Sequence, residues 1–118
     1  MSNFISNSQF KRIVEMYGNI SALYDEALSV MLQTPDNFDK QEFEFIESVY
    51  QFNDKLFHIC SEPYKDILTN KVIKALHDSI VICARNRDTY NKGSFMYRTM
   101  NSLYDAMEEG FENIINEI

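Results

Sequence analysis

The two histidines are the first residues whose type and spacing could support chemistry. Asp54, His58 and Glu62 stand at successive fourth positions, so a helix would place them on one face with a spacing that could bind a metal. That face is the polar side of its predicted helix, whereas metal sites in helical bundles use Glu and His side chains that project inward. The pattern therefore favours a solvated surface, and we predict no metal site.

The other reactive side chains also lack the partners that catalysis requires. His77 borders an apolar stripe and would act as a general acid or base only if a second titratable group converged on it. Cys60 and Cys83 fall within apolar stripes, where a buried thiol is inert. The sequence has no glycine-rich phosphate loop, nucleophile elbow or Cys-x-x-Cys pair. We therefore predict a protein that is not an enzyme and has no catalytic residue or cofactor.

Residues 85–98 form a basic segment in an acidic chain. They contain four cationic side chains and one acidic one, in a sequence whose net charge is −7. Arg85, Arg87 and Tyr90 could hold a phosphate or stack on a base at a helix end. Alternatively, these cations compensate the partial negative charge at a helix C-terminus. The second interpretation is favoured, and contact with RNA stays open.

The same segment resembles part of a known motif. HEPN-type ribonucleases and nucleotidyltransferase-partner proteins place an Arg-polar dipeptide near a helix end, followed by a histidine a few residues later. Arg85-Asn86 is similar to the start of this motif, and Tyr90 lies where a nearby aromatic residue would fall. No histidine occurs between Arg87 and Lys92. The resemblance covers residues 85–90 alone, and it implies RNA binding or dimerisation rather than catalysis.

The acidic residues are concentrated in two stretches. Residues 36–62 contain seven acids against two lysines, and residues 105–117 contain five acids and no base. Such surfaces usually keep a protein soluble, and they also dock on cationic grooves by imitating the spacing of phosphates. We predict that the partner-binding residues belong to these stretches and to the basic segment: Asp105, Glu108, Glu109, Glu112, Glu44, Glu47, Arg85, Arg87 and Tyr90.

Four helices must position these residues. Apolar side chains recur at steps of three and four over residues 8–33, 39–61, 63–84 and 94–118. Asp39 followed by Glu42 predicts a capping box, and Gly93-Ser94 marks a helix boundary. Short connections then predict a single domain over residues 1–118, an all-α antiparallel four-helix bundle.

The second predicted helix is apolar over more of its circumference than a simple bundle needs. Its two interleaved stripes cover roughly 200°, whereas an outer helix of a bundle requires a little over about 100°. The first helix is also wide. Apolar faces wider than a bundle requires predict that these helices are either deeply buried or part of an interface, and we expect a homodimer.

Bulk properties complete the sequence-based hypothesis. The net charge of −7 opposes binding to anionic membranes and nucleic acid, and no apolar run approaches the ~20 residues of a membrane span. The N-terminus does not resemble an export signal, so we expect a cytoplasmic location. Together these features predict a small acidic helical protein that inhibits or neutralises a partner with a basic surface. It is similar in size and charge to bacterial toxin-immunity proteins and phage-encoded inhibitors. The alternative is an RNA-associated bundle, a degenerate HEPN-type protein that contacts RNA through residues 85–98.

Overall fold

The protein is an all-α four-helix bundle, as the sequence predicts. The computed structural model describes residues 6–61 and 70–116. Helix α1 spans Asn7–Gln33, a 3₁₀ turn follows at Pro35–Asn37, and helices α2, α3 and α4 span Lys40–Ser61, Asn70–Arg87 and Phe95–Asn116. The predicted start of the third helix at Pro63 and the predicted end of the fourth at Ile118 lie outside the described residues.

Side-chain caps explain where the helices begin. The Asp39 carboxylate accepts the Glu42 backbone N–H at 2.8 Å, and the Glu42 carboxylate accepts the Asp39 N–H at 2.9 Å. This is the capping box that the sequence predicts. The Ser94 hydroxyl accepts the Tyr97 N–H at 3.1 Å and so caps α4. A second capping box, formed by Ser6 and Gln9, starts α1. Local sequence thus fixes these helix starts.

Helices α1 and α4 form the central pair of the bundle. Helix α1 packs against both α2 and α4, and α3 packs against α4. Phe10 near the start of α1 stacks on Phe57 near the end of α2, while Tyr24 stacks on Tyr50 closer to the start of α2. Because the contacts run in opposite order along the two helices, α1 and α2 are antiparallel.

The contact between α1 and α4 is closest at Gly110. A Cβ atom at Gly110 would lie 2.5, 2.6 and 2.9 Å from the Sδ, Cγ and Cβ atoms of Met16. The Cβ atom of Met16 is fixed by its own backbone, so rotation of the side chain cannot relieve all three contacts. The missing side chain at Gly110 therefore lets the two helices approach.

The core between the helices is apolar apart from two buried polar residues, Gln9 and Asn53. Its buried apolar residues are Ile13, Met16, Ile20, Ala27, Met31, Ile46, Val49, Leu56, Leu76, Ile80, Cys83, Met96, Met100, Leu103, Met107 and Ile114. Asn53 is 1% exposed; its Nδ2 donates to the Val49 carbonyl at 2.9 Å, and its Oδ1 has no partner within the described residues. The amide donor of Asn53 is therefore satisfied within α2, by the carbonyl one turn earlier.

The wide apolar face of α2 divides into three parts. Ile46 lies in the core, while Tyr50 and Phe57 on one flank stack on aromatic rings of α1. Phe45 and Phe52 on the other flank line a groove that faces α3. Within the described residues, the helix pairs in extensive contact are α1–α2, α1–α4 and α3–α4, and α2–α3 is not among them. Contact with α1 therefore accounts for the apolar residues on one flank of α2, whereas those on the other flank line a groove that no helix fills.

The close approach at Gly110 predicts opposite effects of the same substitution at two glycines. Gly110→Ala should lower the free energy of unfolding by about 1 to 2 kcal/mol, because overpacking against Met16 outweighs the gain in helix propensity. A Cβ atom added at Gly18 on α1 would meet no other atom within 4 Å, so Gly18→Ala should raise it by about 0.5 to 1 kcal/mol. Urea unfolding followed by circular dichroism measures both, and stabilisation by Gly110→Ala would contradict the packing.

Candidate partner-binding surface

The predicted acidic residues of α4 form one continuous surface. At about 100° per residue, Asp105, Glu108, Glu109 and Glu112 fall within an arc of roughly 100° on the side opposite the buried Leu103. Asp105, Glu109 and Glu112 are exposed and Glu108 is partly so. None of the four forms an ion pair with a basic side chain in residues 6–61 or 70–116. We call these four residues the α4 acidic surface. It carries a net negative charge, although Arg85 lines the same groove as Glu108 and Glu112, and Arg12 lines a pocket with Glu109.

Glu44 and Glu47 lie apart from that surface, on α2. Both are exposed, but Glu44 pairs with Lys40 at 3.6 Å and Glu47 accepts a hydrogen bond from Gln51 at 3.2 Å. Helix α2 packs on α1, so these two carboxylates belong to a different side of the bundle from α4. The structure therefore separates the predicted acidic residues into two groups.

Arg87 is held by contacts within the chain. Its guanidinium lies 4.8 Å from the ring centroid of Tyr104 and 5.8 Å from that of Tyr97. It also donates to the Asn101 side-chain oxygen and to the Asp88 carboxylate, each at 3.0 Å. The hydrogen bond to Asp88 raises the pKa of Arg87. This arginine thus ties the end of α3 to α4, which is a structural role.

Tyr90 is also turned towards the protein. Burial, followed by a hydrogen bond to Glu42 and the charge of that carboxylate, raises its pKa to about 12. Asp39 contributes to the same effect. The acidic start of α2 therefore lies beside the basic segment, although about fifty positions separate them in the chain. The phenol ring of Tyr90 packs against the core, so it is not a free stacking platform for a base.

The remaining cations of the basic segment do not converge. Arg85 lies in a groove between α3 and α4 that also contains Glu108 and Glu112. Arg98 lines a different groove, between α1 and α4, and Lys92 is exposed in the connection between α3 and α4. The local positive charge that the sequence shows is thus dispersed over separate surfaces.

The structure also contains a polar network at the α1–α2 interface, which the sequence analysis did not predict. The Tyr17 hydroxyl donates to Asp54 Oδ1 at 2.8 Å and lies 3.3 Å from the Tyr50 hydroxyl. These hydrogen bonds, that of Tyr50 first, raise the pKa of Tyr17 well above its ordinary value. A phenol that holds its proton this firmly does not act as a base or nucleophile. The network therefore joins α1 to α2.

His58 and Cys83 match their sequence-based interpretation. The His58 side chain is 62% exposed and lies 3.5 Å from the Asp54 carboxylate. Cys83 is fully buried and free, its thiol donates to the Met100 carbonyl at 3.4 Å, and burial raises its pKa to about 12. Glu62 and the side chain of Cys60 lie outside the described residues. Within those residues, no group of three His, Cys, Asp or Glu side chains could hold a metal.

In comparisons with known proteins, no family model, no curated protein and no solved structure matches the chain. No helix in the described part of the chain has the length and apolarity needed to cross a membrane.

The Tyr17 network predicts a loss of stability in alkali. Above pH ~10 an unfolded tyrosine loses its proton, while folded Tyr17 retains it. Its stabilisation is therefore complete below this pH and declines as pH rises, by about 1.4 kcal/mol per pH unit for one proton. Tyr17→Phe should reduce this slope, and at neutral pH it should cost about 1 kcal/mol. Urea unfolding at several pH values tests this; equal slopes for the two proteins would contradict it.

Proposed function

We propose that this protein binds and neutralises a protein partner that presents a basic surface, and that the α4 acidic surface is its principal contact. The observation that supports this is the concentration of four carboxylates on one side of α4, none of which forms an ion pair within the described residues: Asp105, Glu108, Glu109 and Glu112. Basic side chains elsewhere in the described residues are paired, stacked or dispersed. The protein would act in the cytoplasm, by occupying a cationic groove that otherwise holds another anionic molecule.

Electrostatic attraction of this kind raises the rate of association more than it raises the affinity of the complex. Exposed carboxylates attract a cationic partner over about 10 Å at moderate ionic strength and accelerate encounter. Each exposed ion pair then contributes only about 0.2 to 1 kcal/mol. Binding should therefore be sensitive to salt, and several carboxylates should act together.

RNA contact through residues 85–98 is the alternative proposal, and the geometry supports it less. Arg87 is stacked on tyrosine rings and Tyr90 faces Glu42, so neither is presented to an outside ligand. Arg85 and Arg98 line different grooves. Binding to a phosphate backbone would require these cations to lie along one continuous surface.

Neutralising the α4 acidic surface tests the proposal. The immobilised protein and a variant carrying Asp105→Asn, Glu108→Gln, Glu109→Gln and Glu112→Gln are each incubated with lysate of the source cells. We expect the unmodified chain to retain a basic protein that the variant and high salt release. Glu44→Gln with Glu47→Gln is the matched control on α2 and should retain it. Identical retention by the unmodified and neutralised baits, or recovery of RNA in place of protein, would contradict the proposal.

The groove between α2 and α3 supports the proposal of a homodimer. It has a volume of about 370 Å³, and its apolar lining includes Phe45, Phe52, Ala75 and Ile82. Ile82 is 51% exposed, although its side chain is large and apolar. This is the open flank of α2, and burying it would remove apolar surface from water.

Charge favours a second copy as the occupant of the α2–α3 groove. Lys40 pairs with Glu44 on α2, and Lys74 pairs with Asp78 on α3 at 3.3 Å. Each helix beside the groove thus carries one cation and one anion. In a two-fold dimer, the cation of one copy can lie opposite the anion of the other. The α4 acidic surface lies elsewhere, so its four carboxylates do not face one another in this contact.

Sedimentation tests the dimer. At micromolar concentration we expect a mass of twice 13.9 kDa, and Ile82→Arg should return it to one chain, because a charge would be buried in the interface. Leu32→Arg, at a residue that is 61% exposed on α1, is the control and should leave the dimer intact. A mass near 13.9 kDa for the unmodified protein would contradict the proposal.

A further inference from the structure

A second groove lies between α3 and α4, on the opposite side of α3 from the α2–α3 groove. Its volume is about 330 Å³, and Ile80, Val81, Ala84 and Phe111 supply its apolar lining. Val81, Ala84 and Phe111 are only partly buried, so the groove is open along its length. It is therefore shaped to receive an apolar side chain from outside.

The rim of the α3–α4 groove is acidic. Asp88, Glu108 and Glu112 line it, against Arg85 as the cation, with His77 at one end. The Asp88 carboxylate is partly satisfied by Arg87, while Glu108 interacts with the Tyr104 hydroxyl and raises the pKa of that phenol. Glu108 and Glu112 also belong to the α4 acidic surface. The apolar groove and that surface are thus continuous.

We propose that the α3–α4 groove receives a cationic amphipathic helix of the partner. This inference rests on the proposed function, to which it adds the chemistry of the partner segment. An apolar residue of that helix would insert between Ala84 and Phe111, and Lys or Arg residues on either side of it would contact Glu108 and Glu112. Recognition of this kind combines an apolar anchor in a groove with charged residues around it.

Two observations favour a cationic helix over other occupants. A second copy of this chain would bring its own negative charge against Glu108 and Glu112, whereas the α2–α3 groove has no such barrier. The lining of the groove runs from His77 to Asp88 along α3, about 16 Å at 1.5 Å per residue, which is the length of roughly three turns of a partner helix. Arg85 is the rim residue that opposes a basic partner.

A pair of synthetic peptides tests the groove. The first is a fluorescent helical peptide with leucines along one face and lysines on both flanks; the second has serine in place of each leucine and the same charge. Fluorescence anisotropy at low salt should show at least about tenfold tighter binding of the leucine peptide, because only it fills the apolar lining. Equal affinity for the two peptides, or no binding of the leucine peptide, would overturn the groove assignment.

Three variants locate the site. Ala84→Trp fills the groove and should weaken binding of the leucine peptide about tenfold. Ala22→Trp, at an exposed position on α1 outside both grooves, is the matched control and should leave that binding unchanged. Glu108→Gln with Glu112→Gln should weaken it about fivefold. Arg85→Gln should strengthen binding about threefold, a gain that misfolding cannot produce. Circular dichroism confirms that each variant is folded.

The outcomes separate this inference from the proposed function. If Ala84→Trp and Arg85→Gln leave peptide affinity unchanged while the lysate partner is still lost from the neutralised α4 bait, the partner binds the acidic surface but not the groove. If the lysate partner is retained by that bait, the proposed function fails whatever the peptides do. Weaker binding of the leucine peptide by Arg85→Gln would overturn the assignment, because a cation on the rim of the groove should oppose a bound cationic peptide rather than stabilise it.

Discussion

The close packing of α1 along α4 is the contact on which the other surfaces depend. Gly110 leaves room for Met16, so the two helices approach and their methionine-rich faces interdigitate. Each of these helices then carries one more helix, α2 on α1 and α3 on α4. A groove is left between α2 and α3, and the outer face of α4 is left uncovered. Both proposed contact surfaces therefore follow from this central pair.

The fold also decides which charges remain available. Arg87 and Tyr90 come from the segment with the highest positive charge, yet the fold places one on tyrosine rings and the other beside the acidic start of α2. The α4 carboxylates stay exposed and without cationic partners in the described residues. The structure thus uses Arg87 for internal contacts, whereas Arg85, Lys92 and Arg98 stay exposed on separate surfaces.

The sequence predicted the helices well because helix formation depends on local patterns. Caps at Asp39 and Ser94 and the three- and four-residue spacing of apolar residues act within one or two turns. The exposure of His58 and the burial of Cys83 follow from the same periodicity, and both were predicted correctly. The site was predicted less completely: the acidic residues of α4 are together, but those of α2 lie on another side of the bundle.

The sequence by itself determined the helices, the starts of α2 and α4 and the all-α class, since each depends on residues a few positions apart. Only the tertiary structure decided that Tyr17 bonds Asp54, that Arg87 stacks on Tyr104, and which flank of α2 stays open. These contacts join residues from different helices, and their formation depends on the rotation and separation of the helices, which packing at Gly110 sets. Helical periodicity specifies a face but not the neighbour that covers it.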